Sequence, residues 1–361
     1  MKKHTHWLCL LVVFLIPTAK IGAMVINIKY DATVTNLMNP AQVVPAVTSA
    51  VQWFQNQYTN PITINITVAF SSSVSLGQSS FSLLSKSYSQ VTNALNSRRV
   101  SAADFSSVAS LPANDPTGAS TTWYVARAQC KALGLSGVSP NDATTDGTVT
   151  FSSTKSYTFD PTNRAVAGKF DFIGVFQHEV SEVMGRGFLL HYQLPGYLVY
   201  DLFRYTNSAA RSFGTNDSNV YFSVDNGATV QKYFYNDVRF GDVQDWVSST
   251  PQDSYDAFVS SGKQSVISTA DILSLDVLGY NMPNVTPPIL AATRSGNGVV
   301  RLVFNSLANQ TFTVLAATNV NVPTASWSVL GAATEYSTGA YQFFDSQAPA
   351  NSQRFYRVRT P

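Results

Sequence analysis

Three residues on one short segment carry the clearest chemistry in this chain: His178, Glu179 and Glu182, within Phe172-Ile173-Gly174-Val175-Phe176-Gln177-His178-Glu179-Val180-Ser181-Glu182-Val183-Met184-Gly185. On a helix, His178 and Glu182 are four apart and stand one above the other on the same face. An imidazole nitrogen and a carboxylate oxygen are both zinc ligands. Glu179 projects beside the pair, where a general base must sit to take a proton from a metal-activated water. Phe172, Phe176, Val180, Val183 and Met184 fall on the opposite side, so the spacing predicts a helix with an apolar face and a reactive face. Gly185 and Gly187 end the helix and allow the chain to turn. That turn can bring a third ligand, with His191 and Asp201 as the candidates. The chain has four histidines, and His4 and His6 lie at its extreme N-terminus. A site built on three histidines is therefore excluded once those leave.

The elements that must hold this helix are legible from pattern. Val25–Tyr30 alternates as a strand, Pro40–Tyr58 has helical spacing, and Ile62–Phe70 is the strongest alternating run. Residues 80–97 are expected to be partly helical, ending near Leu95. Residues 107–147 are weakly patterned. Gly147–Phe151 and Ser156–Phe159 read as short strands, and Leu198–Tyr205 and Val220–Val224 as strands or loop edges. Thr269–Leu278 reads as a short helix capped by Ser268 or Thr269. The Asn281–Pro288 stretch, rich in Asn and Pro, is a linker signal. Beyond it, Val299–Phe304, Thr311–Leu315, Tyr341–Phe344 and Arg354–Val358 are short strand-like runs separated by turns, the pattern of a small β-sandwich over 289–361.

Met1-Lys2-Lys3, the apolar run Trp7–Pro17 and the small residues ending at Gly22-Ala23 read as a signal peptide over 1–23. Its removal takes three lysines and no acids, lowering the formal charge from +2 to −1. No basic surface then argues for nucleic acid, and no other run is long enough for stable membrane insertion. Cys130 remains as one thiol, so no intrachain disulfide forms; with no histidine near it in sequence, it reads as a buried, inert thiol. Apolar residues at 45% and charged residues at 12% fit a β-rich exported protein, secreted or periplasmic in a bacterium.

The segment 172–185 resembles the active-site helix of metzincin-type zinc peptidases, with Gly185 at the family's glycine position. His178-Glu179-Val180-Ser181-Glu182-Val183-Met184-Gly185-Arg186, Asp201-Leu202-Phe203-Arg204-Tyr205, Tyr221–Gly227 and Gly241-Asp242-Val243-Gln244-Asp245-Trp246 together resemble a group of bacterial exported metalloproteases with a His-Glu-x-x-Glu motif. The likeness spans roughly 25–281. It implies an α+β catalytic domain over 24–281, one catalytic Zn2+ and a protein or peptide substrate. It favours Asp201 over His191 as third ligand beside His178 and Glu182. Three positions depart from the metzincin pattern: Glu182 replaces a histidine, Phe188 stands at the usual third-ligand position, and no methionine lies between Gly185 and the last helix.

Arg204, with Tyr200 and Tyr205, is a candidate for polarising a substrate carbonyl and holding the oxyanion; pairing with Asp201 and packing in a core are the alternatives. Asp237, Asp242 and Asp245 could hold a structural Ca2+, or be turn carboxylates. The C-terminal segment resembles small β-sandwich modules of exported bacterial proteins of the Verrucomicrobia type, which implies contact with a cell surface, a polysaccharide or the substrate. The expected function is a secreted zinc endopeptidase with Glu179 as base. A non-catalytic binding or adhesion protein on a peptidase scaffold and a metal-dependent amidase are the alternatives.

Overall fold

The computed structural model describes residues 24–118, 121–190, 196–237, 239, 241–283, 291–305, 311–322, 326–337, 340–351 and 353–359. The expected signal peptide, His191 and most of the expected linker lie outside these residues.

The chain is a mixed α/β protein whose strands form several sheets. Strands β1 (Val25–Tyr30), β2 (Thr63–Ser71), β3 (Gly77–Phe81) and β6 (Gly147–Ser152) make a four-stranded sheet in the order β1-β2-β6-β3. The first three in that order run parallel, and β3 lies antiparallel to β6 at the edge. Ile64, Ile66, Val68 and Phe70 of β2 all point inward, as their alternation requires. Between β1 and β2 run α1 (Ala32–Leu37) and α2 (Pro40–Gln57). Asn39 caps α2 by accepting from the Ala41 amide, and Pro40 sits in the first turn, where its missing N–H costs nothing.

Strands β4 (Leu83–Lys86) and β5 (Thr122–Ala126) pair antiparallel, and β9 (Gly196–Leu198) joins β5 in parallel. Helices α3 (Tyr88–Ser97), α4 (Ala102–Ala109) and α5 (Arg127–Leu133) flank them. Residues 107–147, weakly patterned in sequence, thus contain β5 and α5. Both elements are short, and α5 buries polar groups, Gln129 and Lys131 among them, alongside its apolar ones. The short pair β7 (Tyr157–Thr158) and β8 (Phe170–Asp171) leads into α6 (Phe172–Val183). A 3-10 turn at Val199–Phe203 precedes β10 (Arg204–Asn207), β11 (Ala210–Arg211), β12 (Tyr221–Phe222) and β13 (Lys232–Tyr233), which form a second four-stranded sheet. Helix α7 (Thr269–Asp276) closes this part of the chain, with Ser268 at its N-cap position donating its amide to Asp271 Oδ2 at 2.8 Å.

One core unites these elements. Phe70, Phe151, Phe172 and Phe176 stack beneath α6, with ring centroids 4.8 to 6.1 Å apart. Helix α6 packs on β3, β6 and α2. Its opposite side is covered too, by the segment 241–266, so eleven of its twelve residues are buried and only His178 is partly exposed. The side of the helix that carries Glu179 and Glu182 is therefore buried rather than solvated.

The C-terminal part is all-β. Strands β14 (Ala291–Arg294), β15 (Val300–Asn305), β18 (Thr334–Ser337) and β19 (Ala340–Asp345) form one antiparallel sheet. Strands β16 (Thr313–Ala317), β17 (Ser328–Ala332) and β20 (Phe355–Arg359) form another. A separate small apolar cluster of Phe304, Phe312 and Tyr341 lies here. Among the described residues, no helix is long and apolar enough to cross a membrane.

Candidate metal centre

Helix α6 presents His178 and Glu182 as their spacing predicts. The helix then stops abruptly. Gly185 takes φ +110°, and its amide and that of Arg186 return to the carbonyls of Glu182 (2.8 Å) and Ser181 (3.0 Å). The segment 241–246 crosses here and brings Asp245. His178 Nε2 lies 3.5 Å from Glu182 Oε1 and 3.4 Å from Asp245 Oδ1. Among the described residues, His178, Glu182 and Asp245 are the group that could hold a metal ion, with their ligand atoms within 4.8 Å of one another.

The donor set fits a small tetrahedral cation. Zinc–nitrogen and zinc–oxygen bonds of about 2.0–2.1 Å at tetrahedral angles put neighbouring ligand atoms about 3.3–3.4 Å apart. The two histidine–carboxylate separations match that edge. The imidazole is oriented to ligate through Nε2. His178 Nδ1 lies 2.9 Å from the Ser254 carbonyl, which only accepts, so Nδ1 carries a hydrogen and Nε2 is the nitrogen turned to the two carboxylates, where a metal would take the place of its proton. Glu182 is fixed at both oxygens. Ser79 on β3 donates to Oε2 at 2.7 Å, and Gln244 Nε2 donates to Oε1 at 2.8 Å. Asp245 Oδ1 accepts from Arg186 at 2.7 Å.

Glu179 differs. Among the described residues, no hydrogen-bond donor reaches its carboxylate. It lies against β3 at Gly77, where any Cβ would collide with Oε1 and with Val175. Glycine at 77 is thus a space requirement of the carboxylate above it.

The electrostatics follow from burying more acid than base. Burial and then Glu182 raise the Glu179 carboxyl well above its usual range. Burial also lifts Asp245, against the pull of His178 and Arg186. Burial pushes Glu182 up as well, but His178, Arg186 and the Ser79 hydroxyl outweigh it and hold that carboxyl at about 2. Burial works against charge on His178, yet Asp245 and Glu182 raise it to about 10. Asp242, half-buried nearby, is raised to about 7 by burial, Glu182 and Asp245.

Asp201, expected as the third ligand, stands elsewhere. Its Oδ2 accepts from the Leu198 amide at 2.9 Å, capping the 3-10 turn, and burial raises it to about 6 against the pull of Arg204. Arg204, expected to face a substrate, is fully buried. Its NH1 donates to the Val243 carbonyl at 2.8 Å, its NH2 to Asn236, and its guanidinium lies 4.7 Å over the Phe234 ring. Arg204 therefore braces the segment that carries Asp245. Tyr200 and Tyr205 are core residues. His191 lies outside the described residues. The expected calcium trio does not assemble: Asp237 pairs with Arg239 at 2.7 Å on the surface, while Asp245 belongs to the histidine centre.

Spacing does not single out Asp245 as a ligand, or Gln244 and Arg186 as its partners. Asp245 lies 63 residues beyond Glu182, and no helical or strand period connects them. The usable signal is chemical: Gln244-Asp245 sits between Val243 and Trp246, so a polar pair is carried inward by its apolar neighbours. The chain matches no protein-family model, no curated protein and no solved structure.

Proposed function

We propose that this chain is an exported zinc-dependent peptidase. The observation that carries the reading is the convergence of His178, Glu182 and Asp245, with His178 Nε2 at tetrahedral-edge distance from Glu182 Oε1 and from Asp245 Oδ1, their ligand atoms all within 4.8 Å of one another and Glu179 beside them. His178, Glu182 and Asp245 would hold the ion. When bound, zinc polarises a water molecule and a peptide carbonyl. Glu179 takes the proton from the attacking water and delivers it to the leaving amine. A divalent cation among these acids also reverses the local field that otherwise keeps Glu179 protonated. Strand β3, at the sheet edge, offers unpaired backbone groups beside Glu179 for an extended peptide. On this reading, the catalytic part is metzincin-like and the two C-terminal sheets form a β-sandwich that contacts a surface or polysaccharide.

A second reading has its own support. Arg186 bonds Asp245, and His178 sits between two carboxylates, so the cluster also satisfies the description of a buried ion-pair network in a non-catalytic scaffold. Metal analysis of the purified protein decides between them, together with a peptide-library assay. The peptidase reading requires one zinc per chain, lost in His178→Ala and in Asp245→Ala, and hydrolysis that depends on it. A wild-type protein without metal would establish the scaffold reading.

A further inference from the structure

Among the described residues, Arg186 is the guanidinium built into the centre, and none of the chemistry above uses it. It follows Gly185, whose left-handed turn folds the chain back beneath α6 and buries Arg186 completely. Its Nε donates to Ser181 Oγ at 2.7 Å, and NH1 donates to Asp245 Oδ1 at 2.7 Å and to the Gln244 carbonyl at 3.4 Å. Its NH2 lies 3.6 Å from Glu182 Oε1 and has no hydrogen-bond partner among the described residues. The guanidinium carbon sits 4.3 Å over the Tyr255 ring, which clamps the plane.

Resting on the metal-centre reading, we propose that Arg186 is the metal-selecting residue of this site. Its NH1 takes up acceptor capacity on Asp245 Oδ1, and its NH2 lies beside Glu182 Oε1 without bonding to it. Asp245 Oδ1 gives one lone pair to Arg186, and Glu182 Oε1 gives one to Gln244 with Arg186 alongside. Ser79 occupies Glu182 Oε2. Glu182 Oε1 and Asp245 Oδ1 are each left with one direction for a metal, and the Ser79 hydroxyl holds the second oxygen of Glu182, so the protein supplies few, fixed donors. That suits four-coordinate zinc and disfavours calcium, which takes about 6–8 oxygens and readily uses both oxygens of a carboxylate. Arg186 also offsets one of the two carboxylate charges, so a divalent ion keeps a net positive field at the centre.

Charge alone and geometry alone predict different outcomes. Removing a positive charge strengthens the attraction for every divalent ion alike and leaves their ratio unchanged. Freeing the carboxylates changes the ratio. The test is competitive titration of the full chain with zinc and calcium, in wild type, Arg186→Met and Arg186→Lys, with circular dichroism as the folding control. The zinc preference is expected to fall by about tenfold or more in Arg186→Met, within the range seen when groups that orient metal ligands are removed, and by less in Arg186→Lys. An unchanged preference in Arg186→Met overturns the proposal; should that variant fail to fold, an unchanged preference in Arg186→Lys does so. A wild-type chain that binds neither ion overturns the metal-centre reading itself.

Discussion

Two buried charge clusters in this molecule are built differently. Arg127, Lys131, Asp142 and Asp146 join α5 to the start of β6. Arg127 meets Asp142 at 2.5 Å and Asp146 at 3.3 Å, and Lys131 meets Asp146 at 2.7 Å. Two cations face two anions, and the Asn65 amide adds a donor to Asp146. At the end of α6, Glu179, Glu182 and Asp245 face Arg186 and a histidine, with Asp242 close by. The first cluster is balanced in charge, two cations against two anions. The second has an excess of acid whose ligand atoms converge, and that imbalance is what a divalent cation would correct. Buried acid by itself marks no site; unbalanced, convergent acid beside an oriented imidazole does.

The largest expected effect falls on the unbalanced cluster. Glu179→Gln removes the proton acceptor and keeps the shape. Peptide hydrolysis should drop by about 10²–10⁴-fold, the usual range for a general base, while zinc content stays at the wild-type value. Asp142→Asn in the balanced cluster should leave the rate unchanged. Full activity in Glu179→Gln would break the comparison at its centre.

The balanced cluster answers in stability instead. Lys131 is fully buried, and Lys131→Met strips Asp146 of its shortest ion pair. Breaking a buried pair from one side costs about 3–5 kcal/mol, which urea unfolding will read. Zinc stoichiometry in that variant should not move; loss of the metal would tie the two clusters together and blur the distinction.

Metal removal gives the next effect in size. A ligand at about 100 times its Kd stabilises a folded protein by about 2.7 kcal/mol. Adding a chelator to the wild type should lower its melting temperature accordingly, and His178→Ala should show no such response. A chelator shift of equal size in both proteins would place the stabilising ion somewhere else.

How much of this is legible in the sequence depends on the distance over which each feature is encoded. Helix α6, its glycine stop and the pair His178–Glu182 follow from contacts three to five residues apart, so spacing reveals them. The alternation of β2 and the caps of α2 and α7 are local in the same way. The third member of the cluster is not local. The metalloprotease resemblance favours Asp201, which instead caps a turn, while Asp245 arrives from a loop held by Arg204, Asn236 and the Trp246 core. The Ser254 carbonyl that orients His178 is backbone and carries no side-chain signature at all. Helix α5 is hidden for a related reason: its buried polar residues break the apolar period by which a helix is recognised.

Asp201 gives the smallest expected effect and the sharpest contrast with Asp245. It is as buried as Asp245, yet its carboxylate serves one backbone amide and no histidine. Asp201→Asn keeps an oxygen for the Leu198 amide, so zinc stoichiometry should be unchanged and hydrolysis should stay within about twofold, as for a substitution that touches neither ligand nor base. Its signature should appear in pH dependence. Burial raises this carboxyl to about 6, while in the unfolded chain it titrates near the ordinary aspartate value of about 3.9. Between those values the unfolded state has released a proton that the folded state keeps. Asp201 therefore costs the fold stability as pH rises from about 4 to 6, and its contribution is flat outside that window. From about pH 4 to about pH 6 the urea midpoint of Asp201→Asn should therefore rise relative to that of the wild type, which carries the Asp201 penalty the variant lacks. A wild-type-like pH slope with lost zinc would return Asp201 to the metal centre in place of Asp245.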